Sequence, residues 1–373
     1  MTSAPCPSSR FTTSALLAVG MFAFFVQVRV GSAAEASKPG ATAASTGNRT
    51  DDVKRYLVSQ VEKMAVAAAD FELATADYSK LITTHGGDCK KAFGAAPKEI
   101  LALVEKMRAS YQAMDPFGYE NVEGIVAGVA VLNEFDTYLD AGVPKAEAAP
   151  DKPAAPVVLK LANGETIDGA GCLFTYIIEP ALWGTQPKWV VPIDLNGDGK
   201  IDPHESLPRP EVMVAAGADV RKKIGELLVA SRAWEPSTRD CFTAIATMTP
   251  TLPGYFDDWK ESRYAGSDKE GSGKFSAVSR VSDMRAIMSS VGVLYAGVRP
   301  QVATKDPALA RAIEGRFKDI LAFIDRLAER EKRGQITAGE IEGLTGQAKE
   351  KANGLVPQIE QAAALLGIKI GDT

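Results

Sequence analysis

The sequence predicts an all-α protein, a bundle of roughly eight helices joined by short loops. Three stretches carry this reading. Val53, Leu57, Val61, Met64, Ala68, Phe71, Thr75, Tyr78 and Ile82 recur at steps of three and four. Leu309, Ile313, Phe317, Ile320, Ile324 and Leu327 do the same. So do Ile341, Leu344, Ala348, Leu355, Ile359 and Leu366, with Pro357 as an expected kink. At this spacing apolar side chains share one face of a helix, and that face must be buried against another.

Composition sets the outer bounds. The chain has 373 residues, 46% hydrophobic and 24% charged, with a formal net charge of −5. This is ordinary globular composition, and mild acidity without a basic cluster argues against a nucleic-acid partner.

Residues 1–34 read as a cleavable secretory signal. Arg10 gives a positive start, Leu16 to Val26 is apolar, and Ser32-Ala33-Ala34 offers small residues for cleavage near Ala34. Arg29 interrupts the apolar stretch, so an uncleaved anchor is the poorer alternative. The expected location is periplasmic or secreted, with no transmembrane segment after cleavage. Residues 35–50 are rich in Ala, Ser, Thr, Gly and Lys and read as a disordered tether.

Residues 51–143 form the expected N-terminal helical half. A first long helix starts at Asp51 and Asp52 and ends near Gly86-Gly87. Pro97 opens a second, with Ile100, Leu103, Val104, Met107 and Tyr111 on one face, and Pro116 ends it. A third runs from about Tyr119 to Ala141. Residues 144–170 read as a linker and a hairpin, since Asn163-Gly164 separates two extended runs.

Residues 171–367 form the expected C-terminal half. A helix from after Gly171 to Trp183 is kinked by Pro180 near its end. After residue 211 the chain is helical again to Trp234. A shorter segment carries Cys241, Ile245 and Met248. Residues 263–274 are a flexible loop rich in Gly and Ser, and a helix over 276–298 follows. Asp306-Pro307 and Thr337 supply the start signals of the last two helices.

The most specific motif is Asp194-Leu195-Asn196-Gly197-Asp198-Gly199-Lys200-Ile201-Asp202-Pro203-His204-Glu205. It matches a twelve-residue calcium loop. Asp194, Asn196, Asp198, the Lys200 carbonyl, Asp202 and a two-oxygen Glu205 would form the hard-oxygen shell that calcium or a lanthanide prefers. Gly199 allows the sharp turn at position 6. An ordinary Asx-rich turn is the bland alternative. The preceding Gln186–Pro192 stretch is not helical, and Pro208 and Pro210 stop any helix at one turn. A lone loop inserted in another fold is therefore expected, not a full EF-hand.

Three further features concern metals. Cys172, Tyr176 and Glu179 fall on one helical face, where phenolate and carboxylate oxygens suit ferric iron. A buried Tyr bonded to a Glu is the bland alternative. Glu120 and Glu123 near a helix start complement the helix dipole or act as paired ligands. Asp115 before Pro116 is a ligand or an acidic turn residue. No phosphate-binding glycine loop, GxSxG or HExxH is present, so no catalytic residue is assigned. Cys6 leaves with the signal. Cys89, Cys172 and Cys241 in an oxidising compartment imply one disulfide and one free thiol.

Phe174-Thr175-Tyr176-Ile177-Ile178-Glu179-Pro180-Ala181-Leu182-Trp183-Gly184 resembles the signature of imelysin-like proteins, in which a helix carries H-x-x-E followed by an apolar pair, Trp and Gly. Met107-Arg108-Ala109-Ser110-Tyr111 with Asp115-Pro116 is similar to that family's early Arg–Tyr–acid helix. Ser282-Asp283 through Arg299-Pro300 and the two last helices are similar to the EfeO-type iron-uptake proteins. The resemblance implies an exported helical bundle that handles iron, with metal ions as ligands and a membrane iron permease or another envelope protein as partner. Tyr176 stands where the family has His, which removes the nitrogen ligand and argues against a zinc peptidase. Iron uptake, a calcium-stabilised interaction protein with a decayed metal site, and a metallopeptidase are the three functional readings, in that order.

Overall fold

The structure is a computed structural model, and it describes residues 49–150, 152–202, 204–265 and 276–370. The expected signal at 1–34, nearly all of the tether at 35–50 and most of the loop at 263–274 lie outside the described residues. The described part is an all-α bundle with two short hairpins.

Helix α1 (Thr50–Thr84) buries Val53, Leu57, Val61, Met64, Phe71, Tyr78 and Ile82, as the period requires. It lies against α3 (Pro97–Met114), α7 (Pro210–Ala233) and α10 (Arg280–Lys305). Residues from both expected halves therefore build one core. Helix α10 is buried on several sides. It packs on α4 (Glu120–Val126), α8 (Thr238–Met248) and α11 (Pro307–Lys332), and α11 packs on α12 (Ile341–Leu365).

The start signals act as predicted. Asp306 accepts from the Ala308 and Leu309 amides at 2.9 Å each, and Thr337 forms a capping box with Glu340 ahead of α12. Helix α12 continues through Pro357. Two short helices escaped the periodicity. They are α2 (Cys89–Ala95), capped by Asp88, and α9 (Leu252–Lys260). Each spans too few turns to show a repeat.

Several boundaries differ from expectation, each for a local reason. The second α-helix stops at Met114, just before Pro116 as expected, but the chain stays helical. The chain widens into a π-helical segment, Asp115–Tyr119, and runs directly into α4. A wider turn re-satisfies the backbone where proline offers no N–H. The single helix expected over 119–141 is two, α4 and α5 (Asn133–Leu139). The intervening Ala127-Gly128-Val129-Ala130-Val131 combines glycine with β-branched residues of weak helix propensity. The helix expected after Gly171 is a second π-helical segment, Phe174–Ile178, leading into α6 (Glu179–Trp183), so Pro180 lies in the first turn of α6 and not near a helix end.

The predicted hairpin is present. Strands β1 (Val158–Lys160) and β2 (Thr166–Asp168) pair antiparallel, with Leu159 opposite Ile167 and both buried. A second hairpin was not foreseen. Strands β3 (Val190–Pro192) and β4 (Ser206–Pro208) pair antiparallel, Val191 opposite Leu207, and the Asp194–Glu205 loop joins them. A helical turn was expected after that loop. Pro208 closes that short strand, and Pro210 opens α7 at its first position.

Cys89, Cys172 and Cys241 are all free and buried, so the expected disulfide is not formed among the described residues. Burial pushes all three thiols up, Cys241 to about 12. No helix among the described residues is long and apolar enough to cross a membrane.

Candidate metal centre

Both π-helical segments end on a glutamate. The Glu120 N–H bonds back to the Asp115 carbonyl and the Glu179 N–H to the Phe174 carbonyl, five residues earlier in each case. Such one-turn widenings shift the residues that follow off the regular helical face. Here they carry Asp115, Glu120 and Glu179 to the bundle interior. Pro180 also leaves the Tyr176 carbonyl without a normal helical donor, and the Trp189 indole Nε1 donates to it at 2.9 Å.

Asp115, Glu120 and Asp140 place one carboxylate oxygen each within 4.8 Å of the others. Among the described residues no other group of three or more acidic, cysteine or histidine side chains meets that distance. The cavity around them is also lined by Tyr111, Thr175, Glu179, Arg280 and Asp283 and has about 10 Å3 of room. That is the space of a single water or ion. A larger outer cavity of about 430 Å3 shares Thr175, Glu179 and Arg280 and is lined further by Tyr176, Gln186, Asp258 and Ser262.

Asp115, Asp140, Glu179 and Asp283 are held by their neighbours. The Tyr111 hydroxyl donates to Asp115 Oδ2 at 2.5 Å. Thr175 Oγ1 donates to Asp140 Oδ1 at 2.9 Å, and Cys172 Sγ to the Asp140 carbonyl at 2.7 Å. The Ala277 amide donates to Glu179 Oε1 at 2.7 Å. Arg280 Nη1 donates to Asp283 Oδ2 at 3.0 Å in the first turn of α10. That turn is fixed from outside. Ser279, the α10 N-cap, and the Trp259 indole both donate to Glu331 Oε1 at 2.7 Å.

Exposure is 7% for Asp115, 2% for Glu120, 6% for Glu179 and 2% for Asp283, so these are core acids. Asp115 Oδ1, Glu120 Oε2 and Asp283 Oδ1 are wholly buried without a hydrogen-bond partner. A buried carboxylate oxygen left unpartnered is costly and calls for a proton or a cation. Burial first, then the neighbouring acids, pushes Asp115 and Glu120 well above the usual carboxylate range. Burial raises Glu179 to about 7 and Asp283 to about 6. Burial works against the Arg280 charge, but Asp283, Glu120, Asp140 and Glu179 outweigh it and keep the guanidinium charged.

The donor set fits a hard cation. The small cavity offers carboxylate, hydroxyl and carbonyl oxygens, no thiolate and no imidazole. Of the sequence candidates, Asp115 and Glu179 reach this cavity. Tyr176 does not. It lines the outer cavity, half-buried, and its hydroxyl pairs with Glu147. Burial first, then the Glu147 charge, pushes it up to about 12. Glu120 does open α4, but it is buried in the acidic cluster. Asp140, Arg280 and Asp283 complete the cavity, and only Asp283 had been singled out, within the stretch from Ser282. The clue available in the sequence is acids set inside apolar runs, as in Tyr119-Glu120-Asn121-Val122-Glu123-Gly124-Ile125 and Val281-Ser282-Asp283-Met284.

The Arg–Tyr–acid and Leu-Trp-Gly stretches meet beside the site. Arg108 donates to the Leu182 carbonyl through Nε at 3.0 Å and Nη2 at 2.7 Å, and its guanidinium lies over the Trp183 ring at 5.4 Å. Gly184 ends α6 in the left-handed region, φ 73°, and a Cβ there would come within 2.6 Å of Ser206 Oγ. Only glycine meets both conditions.

The Asp194–Glu205 loop stands apart, at the tip of the β3–β4 hairpin. Asp194 accepts from the Gly197 and Gly199 amides at 2.7 and 2.8 Å, and Asn196 from the Asp198 amide at 2.8 Å. Asp198 accepts from the Lys200 amide at 2.8 Å, and Glu205 Oε2 from the Asp202 amide at 3.0 Å. Gly199 has φ 86°, as position 6 demands. His204 is exposed. The side chains of Asp194, Asn196, Asp198 and Glu205 are thus engaged within the loop itself.

A search of curated proteins finds no match for this chain. The family model described as Imelysin matches residues 173–366, just over half of the chain. The matched span contains Glu179, Arg280 and Asp283, while Asp115, Glu120 and Asp140 come from the helices before it. With its bundle and the Leu-Trp-Gly turn, the chain belongs to the imelysin family.

Proposed function

We propose that this protein is an exported metal-binding component of iron uptake, with Asp115, Glu120, Asp140, Glu179 and Asp283 holding the ion as cargo. The observation that carries this reading is the trio Asp115, Glu120 and Asp140, which gather one oxygen each within 4.8 Å around room for one ion, while Asp115 and Glu120 each hold a buried oxygen without a hydrogen-bond partner. Ferric iron suits an all-oxygen set better than zinc does. The absence of imidazole from the lining also argues against a zinc peptidase. Imelysin-family membership fits a periplasmic iron-uptake role, and a membrane permease is the proposed receiving partner. The test is metal analysis of protein purified from its native compartment, with calorimetric iron titration of Asp115→Asn and Glu120→Gln. Wild-type protein binds iron and each substitution weakens binding at least tenfold. Absence of iron affinity in the wild type refutes the reading.

The Asp194–Glu205 loop is proposed as a separate calcium site. Its side chains already fold it around Gly199, and its hairpin is joined to the Glu179 helix through Trp189 Nε1 and the Tyr176 carbonyl. Calcium raises the melting temperature by mass action. Affinity falls in the ~10⁻⁴–10⁻³ M range of extracellular modules. Glu205→Gln removes the shift. A melting temperature indifferent to calcium and EDTA would leave the loop an ordinary turn.

A further inference from the structure

The ion cavity lies deep. Asp115, Glu120, Glu179 and Asp283 are buried, and the room between them is about 10 Å3. A hard cation in water carries about six water molecules of about 30 Å3 each. That shell does not fit the inner cavity. It does fit the outer one, which holds about 430 Å3. An ion bound inside has therefore shed its water on the way in, and the way in depends on which spaces share a wall.

Thr175, Glu179 and Arg280 line both cavities. Two other cavities of comparable size share no residue with the inner one. One, of about 330 Å3, lies between α11 and α12, and the other, of about 510 Å3, between α1, β1 and the start of α7. Exposure falls along the outer cavity toward the shared wall. Gln186 is exposed, Thr185 and Tyr176 are half-buried, and Glu179 is buried. The wall itself is chemically uneven. Arg280 is a cation tied to Asp283 through Nη1, and Thr175 Oγ1 donates to Asp140. Glu179 accepts the Ala277 amide on Oε1, and its Oε2 accepts no hydrogen bond among the described residues. That oxygen is the one at the wall able to replace a water on a passing ion. Asp258 adds a second carboxylate to the outer lining.

We infer that the outer cavity is the entry subsite for a hydrated hard cation, which passes the shared wall at Glu179 to reach Asp115, Glu120 and Asp140. This rests on the iron-binding reading above and adds the route by which that site fills and empties. The experiment takes protein purified from its native compartment and stripped with EDTA. It is loaded with ferric nitrilotriacetate, whose iron keeps bound water, and later emptied into excess EDTA, with protein-bound iron followed against time. Thr185→Trp fills the outer cavity from a position that does not line the inner one. Loading and release should both slow about tenfold, by the same factor, so that iron affinity measured by calorimetry stays unchanged. Loss of a ligand or of local structure would change the affinity instead. Val214→Trp, which fills the cavity beside α7, should leave both rates as they are. Wild-type rates in Thr185→Trp would mean that the ion enters elsewhere, and they overturn the inference while the iron-binding reading stands. So does an altered affinity in that variant. No iron in the wild type overturns both. A thermal melt checks folding, and where Thr185→Trp does not fold, Gln186→Trp at the exposed rim decides by the same criteria.

Discussion

At the scale of the residue, the centre trades stability for binding. Glu120 and Asp115 sit where a neutral side chain would be cheaper, because their unpartnered oxygens are wholly buried beside other acids. Glu120→Gln should therefore raise the stability of metal-free protein by about 0.5–2 kcal/mol at pH 8 while weakening iron binding. Chemical denaturation of the EDTA-treated variant checks this. A variant that loses stability and iron together would mean that Glu120 is a structural residue. Tyr111 works the other way. Its hydroxyl holds Asp115 Oδ2, and Tyr111→Phe should cost about 1–3 kcal/mol by leaving that oxygen unmet. Iron stoichiometry should survive that change.

At the scale of the element, the long helices were legible and the site was not, for one physical cause. Regular periodicity reports regular helix, and α1, α11 and α12 are regular. The acids lie where regularity breaks. Asp115 opens a π-helical segment, Glu120 and Glu179 follow one, and Asp140 caps the C-terminus of α5. Tyr176 and Glu179, set together by α-helical spacing, share the outer cavity, but only Glu179 reaches the inner one once the turn widens. Glu120 read as a dipole partner because its position near a helix start was visible and its burial was not. The close approach of α4 to α10 is likewise invisible in the sequence. A Cβ on Gly124 would meet Ser290 Oγ at 2.4 Å and Val291 Cγ2 at 2.8 Å. Gly124→Ala should destabilise by about 1–3 kcal/mol through overpacking. It should also weaken iron binding by shifting Glu120 away from Asp283. Paired melts and iron titrations test both effects.

At the scale of the whole molecule, pH becomes a lever. Burial raises Asp283 to about 6, Glu179 and Asp136 to about 7 and Glu123 to about 8. In the unfolded chain such groups titrate near 4. The folded state thus binds more protons between those limits, and the linkage sign is negative. Stability of metal-free protein is full below about pH 4 as far as these groups are concerned, and falls as pH rises toward 8. A melting-temperature series in EDTA from pH 5 to 8 should slope downward, and saturating iron should flatten it. A metal-free series that rises over that range would contradict the buried ionisations.

The acids also come from distant parts of the chain. Asp115 and Glu120 precede the first hairpin, Asp140 follows α5, Glu179 heads α6 and Asp283 begins α10. They span the chain from Asp115 to Asp283, so the site comes into being only when the chain closes its long loops. Iron therefore rewards the finished topology and nothing short of it, by about 2.7 kcal/mol at a hundredfold excess over the dissociation constant. The cargo doubles as a quality check, since a chain that has failed to close has nothing with which to hold it.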